Sequence, residues 1–257
     1  MAAVRRCRPR RSLRHDRYMS EFPAGDTARA RLLDQRALHA SSVGANNAMN
    51  RDRRLTGVNS YARVLGFDPV GHLTGPDPAW LDLCCGSGRA LLQAAGRLRG
   101  AATLIGVDLV DAFAGAADGV TFVAAPLEDW APDRAFDLIT CVHGLHYVGD
   151  KLGMLVRVAR WLAPGGRFVA DLDLGGVRLA DGRPAGRRLV GRLRQAGFDY
   201  DGRRRRISCT GPRKWEIPGE YLGADDRAGA NYTGQPAVDS YYRFAGRGPT
   251  GINVSTG

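Results

Sequence analysis

The chain has 257 residues and 44% hydrophobic content, with no apolar run long enough to span a bilayer and no signal-peptide-like apolar core at its start, which points to one large cytoplasmic α/β domain. Its formal charge of +11 is concentrated in two stretches: residues 1–17 hold seven Arg and one Asp, and residues 183–206 hold nine Arg and two Asp, so the rest is near neutral and lacks the aromatic-interleaved footprint of a nucleic-acid binder. Five irregularly spaced cysteines (Cys7, Cys84, Cys85, Cys141, Cys209) speak against a disulfide framework and a metal site, and for free thiols in a reducing compartment.

In chain order, residues 1–20 form an Arg-rich, apolar-poor tail expected to be disordered. Residues 21–78 are expected to make a helical cap. Within it, Asp26 or Thr27 can start a helix over 26–42 with Leu32, Leu33 and Leu38 on one stripe. Asn59 can cap a second helix that runs to Leu65 and ends at Gly66. The main domain is expected over 79–245. Strands are predicted at Ala79–Leu83, Thr103–Val107, Val120–Ala124, Phe136–Val142 and Arg167–Leu172. Helices are predicted at Arg89–Leu98, from Val110, at Asp150–Leu162 and at Arg187–Ala196. This alternation of apolar strands and helices predicts a parallel sheet covered on both faces. Further strands are expected at Arg204–Cys209 and Ser240–Phe244, with a short one at Trp215–Ile217, before a Gly-rich tail over 246–257.

The chemistry gathers at the ends of the first strands. Cys85-Gly86-Ser87-Gly88 forms a glycine turn between a strand and a helix, where backbone can approach a ligand and helix N–H groups are free. That suits a nucleotide-like cofactor. The third glycine of a dinucleotide fingerprint is replaced by Leu91, and no G-K-[ST] follows, so neither NAD nor a P-loop fits. Asp108 ends the second strand, where a carboxylate can accept from both ribose hydroxyls, although a solvated loop acid is the plainer alternative. After the third strand, Glu128-Asp129-Trp130 offers an acid for an adenine amino group and an apolar neighbour for its ring. The same acid could simply offset a helix dipole.

Leu81–Gly88, Gly106-Val107-Asp108, Glu128-Asp129-Trp130, Phe136–His143 and Leu162–Phe168, in this order and spacing, resemble class I S-adenosylmethionine (SAM)-dependent methyltransferases over roughly residues 79–173. The family often has glycine where Cys84 stands. The resemblance implies a seven-stranded, mostly parallel Rossmann-like sheet, a C-terminal antiparallel hairpin formed by the last two strands, and an N-terminal helical lid. It implies SAM as cofactor and S-adenosylhomocysteine (SAH) as product. Asp82, Gly86 and Gly88 would surround the methionine part, Asp108 the ribose, and Asp129 and Trp130 the adenine. Cys84, Leu109, Glu128, Val142 and His143 would complete the site.

The acceptor side is expected after the fourth strand, where His143 and His146 lie three positions apart. Either imidazole can deprotonate a hydroxyl or a protonated amine, or instead pack on the cofactor. Asn46, Asn59 and Tyr61 of the lid, Tyr147, and Asp171 at the end of the fifth strand are candidate substrate contacts. The expected activity is methylation of an O or N atom of a small molecule of specialised metabolism. The alternatives are an RNA or protein methyltransferase using Arg203–Arg206, and a non-catalytic SAM-binding homologue. Oligomeric state stays open.

Overall fold

Strand β1 (Ala79–Leu83) is buried at every position, and the whole architecture is arranged around it. The computed structural model describes residues 32–43, 52–217 and 219–244; the N-terminal tail, Asn46 and the Gly-rich tail lie outside them. β1 pairs in parallel with β2 (Thr103–Asp108) on one side and β4 (Phe136–Cys141) on the other. β3 (Val120–Ala124) flanks β2, and β5 (Leu162–Asp171) flanks β4, both in parallel. β8 (Arg206–Thr210) joins β5 antiparallel, and β7 (Asp199–Asp201) closes the edge antiparallel to β8. The order is β3-β2-β1-β4-β5-β8-β7. Helices α4 (Arg89–Leu98), α5 (Lys151–Trp161) and α6 (Gly186–Gln195) form where the apolar periodicity places them.

Gly88 caps α4 with φ +74, and a Cβ there would lie 2.2 Å from the Phe122 ring. Glycine is therefore required both for the left-handed turn and for close helix–sheet approach. Two core clusters cover the two faces of the sheet, one including Leu81, Phe136, Leu155 and Phe168, the other Trp80, Leu91, Leu104 and Leu138.

Several expectations are corrected. The described part of the first helix is α1 (Gln35–His39), capped by the Asp34 side chain, while Leu33 instead bridges to Ala224. Ser60, not Asn59, caps α2 (Tyr61–Leu65), because its Oγ accepts from Arg63 N–H; Gly66 ends it at φ +79. A four-residue helix α3 (Pro69–His72) follows. No helix forms from Val110: Ala114 N–H donates to Ser87 O and Phe113 stacks on Phe122 at 4.7 Å, which holds the segment against the sheet. Trp215–Ile217 is not a strand; Trp215 packs edge-on against Phe198. The closing hairpin is β7–β8, not the last two strands.

β10 (Asp239–Phe244) belongs to a second sheet, β6-β10-β9, with β6 (Val177–Leu179) and β9 (Gly219–Asp225). This small sheet is fastened to the main one at the start of α5. Lys151 Nζ donates to Val148 O (2.9 Å), Val238 O (2.6 Å) and Ser240 Oγ (3.0 Å). Tyr242 OH donates to Asp150 Oδ1 (2.8 Å) and accepts from Leu152 N–H (3.0 Å). Among the described residues, no helix is long and apolar enough to cross a membrane.

Candidate functional site

Strand order reverses at β1, since β2 lies on one side and β4 on the other. In open α/β sheets ligands bind at the carboxyl ends of the strands at such a point. A cavity opens there. It is lined by Cys84 to Gly86 after β1, Asp108 at the end of β2 with Leu109 and Val110, Pro126 to Glu128 after β3, and Val142 to Gly144 with His146 to Val148 after β4.

The floor is shaped by strained backbone. Cys84 has φ +56 and His143 φ +58, both left-handed and both non-glycine. Such residues persist only where their surroundings hold them, and they cluster at functional sites. Cys84 hydrogen-bonds Cys141, and with burial this raises its thiol well above the usual range, so it stays protonated. His143 is fixed through its N–H, which donates to Asp171 Oδ2 at 3.1 Å. Its ring Nδ1 lies 3.7 Å from the same oxygen, an ion-pair contact too long for a hydrogen bond. Next to His143, a Cβ on Gly144 would come within 2.3 Å of Cys84 Cβ.

At the end of β2, Asp108 Oδ2 accepts from Gly86 N–H (2.8 Å) and Oδ1 from Val110 N–H (3.1 Å). These bonds tie the glycine turn to the β2 end. Glu128 faces the same space and meets His39 Nε2 at 3.1 Å. The segment before α2 is pinned to the turn and to α4, since Ser87 Oγ donates to Asp52 Oδ1 at 2.7 Å and Leu55 N–H to Gln93 Oε1 at 2.8 Å.

The two histidines differ. Burial lowers His143, opposed by the charge of Asp171. His146 is 3% exposed, and burial, helped by the nearby Lys151 charge, pushes it down to about 3. His146 is thus a neutral imidazole across the physiological range. Its Nε2 is buried without a hydrogen-bond partner, and Tyr232 covers its ring edge-on at 5.5 Å.

Cys84, Gly86, Asp108, Leu109, Glu128, Val142, His143, His146, Tyr61 and Tyr147 line the cavity. Other expected site residues do not. Asp82 is fully buried: Tyr61 OH (2.7 Å) and Thr140 Oγ1 (2.6 Å) both donate to it, and Trp80 Nε1 donates to Thr140. Burial raises its carboxyl to about 7 against the pull of those bonds. Gly88 faces Phe122. Asp129 is exposed, because Arg157 grips the carbonyls of Leu127, Glu128 and Trp130 and sets the turn so that Glu128 faces inward. Trp130 packs edge-on against Trp161. Asn59 is exposed and accepts from Arg53. Asp171 stands behind His143 and does not line the cavity.

Sequence reasoning missed His39, Arg53, Asn231, Thr233 and Gln235, all on the cavity wall. The last three lie in a Gly/Pro/Asp-rich stretch that carries no periodic signal and reads as a connection. The Arg-rich run does not form a uniform cationic face. Arg206 donates to Leu65 O, Arg205 lies over the Tyr232 ring and 3.4 Å from Asp173, and Arg204 lies 3.8 Å from Asp201.

The chain is similar in sequence to known methyltransferases. A trans-aconitate 2-methyltransferase of Acidovorax sp. (strain JS42) is 39% identical over 108 residues, 40% of this chain and 42% of that protein. A nocamycin O-methyltransferase of Saccharothrix syringae is 32% identical over 131 residues, 45% of this chain and 47% of that one. The matches thus span less than half the length of these relatives. Among solved structures, the N-methyltransferase NodS of Bradyrhizobium japonicum WM9, in complex with SAH, aligns at 16% identity and TM-score 0.42, covering 69% of this chain and 98% of that one. A family model described as a methyltransferase domain matches residues 48–200, more than half of the chain, and the chain therefore belongs to the methyltransferase-domain family.

Proposed function

We propose that the cavity binds SAM and that the chain transfers its methyl group to an oxygen or nitrogen of a small molecule, leaving SAH. One observation carries the reading: Asp108, bonded to the Gly86 turn, and the His143–Asp171 pair line or back one cavity at the point where strand order reverses. The residues suit this cofactor. The turn at Cys84–Gly86 offers close backbone approach, and Asp108 and Glu128 offer acceptors for ribose and adenine. Bound SAM supplies a methyl group already activated on a sulfonium. The protein's task is then to hold the acceptor in line and take up its proton.

His143 is the better placed of the two histidines for that proton. Asp171 orients its backbone and would stabilise the imidazolium. His146 is too weakly basic for the role and serves as a neutral hydrogen-bonding group. The described parts of the expected 21–78 lid, residues 32–43 and 52–78, would cover the acceptor, with Tyr61 and Arg53 on the cavity. The relatives, named for trans-aconitate and for nocamycin, support a small-molecule acceptor. The described cysteines are free thiols, which suits a reducing, cytoplasmic setting.

Titration calorimetry with SAM and SAH tests the reading. Both should bind. Asp108→Asn, which keeps the shape of the side chain, should weaken SAH roughly tenfold or more by removing a charged acceptor. Absence of binding by either compound would defeat the proposal.

A further inference from the structure

Among the described residues, three that line the cavity each carry a buried polar atom with no hydrogen-bond partner: Asn231 its Nδ2, Gln235 its Oε1 and His146 its Nε2. Buried polar groups are nearly always partnered in native proteins, so three on one wall need explaining. The orientation of Asn231 is set by its own loop. Its Oδ1 accepts from Thr233 N–H (2.7 Å), Thr233 Oγ1 (2.6 Å) and Gln235 N–H (3.4 Å). Its amide nitrogen is therefore the end left over, as a donor. Gln235 presents an acceptor. His146, almost wholly buried, presents a ring nitrogen and carries no charge.

This loop is also held in place. Val238 N–H donates to His146 O at 2.9 Å, and Lys151 grips Val238 O. The unpartnered atoms are thus fixed relative to the segment after β4.

We propose that Asn231, Gln235 and His146 form the acceptor subsite, and that it selects an uncharged group in which a carbonyl stands beside a hydroxyl or N–H. This rests on the methyl-transfer reading and narrows its substrate. The carbonyl accepts from Asn231 Nδ2, and the neighbouring hydroxyl or N–H donates to Gln235 Oε1 or His146 Nε2. A polycarboxylate fits this wall poorly, because its oxygens would face the lone pairs of Gln235. Among the described residues, Arg53 is the arginine on the cavity lining, and its guanidinium donates to Asn59.

The test uses the full chain saturated with SAH, with salicylamide and maltol as neutral hydroxy-carbonyl probes and trans-aconitate as the polyanion. Calorimetry should show at least one neutral probe binding tenfold or more tightly than trans-aconitate. Asn231→Asp keeps the loop's acceptor oxygen and exchanges the outward donor for an acceptor. It should weaken the neutral probe at least tenfold while SAH affinity stays within twofold and the melting temperature holds. Gln235→Leu should weaken it as well, without touching the Asn231 turn. Tighter trans-aconitate, no binding of either neutral probe, or unchanged affinity in both variants would overturn the subsite. Failure of SAH itself to bind would instead overturn the methyl-transfer reading and the subsite with it.

Discussion

His143 and His146 show how much environment decides what one residue type can do. Both line the same cavity, with ring centroids 6.1 Å apart. The Asp171 carboxylate lies beside one, whereas burial and a lysine charge suppress the basicity of the other. His143→Gln should lower kcat about 10²–10⁴-fold with SAH affinity retained, the range usual for a general base. The wild-type rate should rise with pH through a midpoint below 6.5, since burial lowers His143; a flat profile would remove His143 from that role. His146 leaves its mark on stability. Its folded value of about 3 lies below the unfolded 6.5, so the unfolded chain binds the extra proton and stability falls as pH drops through that window. Between pH 7 and 5 this amounts to about 2 kcal/mol. Asp82, raised to about 7, acts in the opposite sense there, because its folded form takes up the proton first. The informative quantity is therefore the stability gap between wild type and His146→Gln in urea. It should move by about 2 kcal/mol in the variant's favour on going from pH 7 to 5. A constant gap would show that His146 is charged when folded.

At the scale of elements, the turn after β4 and the small sheet do the positioning. Gly144 sits against Cys84 and Cys141, with no room for a Cβ. Gly144→Ala should cost about 1–3 kcal/mol by overpacking, read from the denaturant midpoint. A loss under 0.5 kcal/mol would mean that the turn relaxes freely. Lys151 holds two carbonyls and a hydroxyl that join α5, the 229–238 loop and β10. Lys151→Met keeps the apolar stem and leaves those acceptors unpaired, so about 1–3 kcal/mol should be lost. Amide exchange should quicken in β9 and β10 well before β1 and β4. Equal acceleration in both sheets would show one cooperative unit. The sequence made the central elements legible because their burial is local and periodic. β1, α4 and β3 match their predicted bounds, and β2, β4, α5 and α6 differ by about a residue at an end. In the small sheet it found β10 to within a residue but missed β6 and β9. β6 is three residues long, and β9 carries glycines and acids whose partners lie far along the chain.

For the whole molecule, the seven-stranded order places the carboxyl ends of β1, β2, β3 and β4 along one edge of the sheet, and the second sheet brings a loop to that edge. If the cavity binds SAH, free ligand at about 100 times Kd should stabilise the fold by about 2.7 kcal/mol. For a chain of this size that raises the melting temperature by roughly 5–10 °C. An unchanged melting temperature at saturating SAH would contradict binding to the folded state. What the sequence determined by itself was the parallel core, the glycine turn, and the placing of Asp108 and the His143–His146 pair. Each depends on short-range pattern: apolar runs, strand ends and turn chemistry. What only the tertiary structure decided was orientation and partnership. Asp82 became a buried link to Tyr61 and Thr140, Arg157 turned Glu128 inward rather than Asp129, and Asn231 and Gln235 arrived from a loop more than 80 residues beyond His143. Those outcomes follow from which side chains meet once the sheet has assembled, and such encounters leave no periodic signal in the chain.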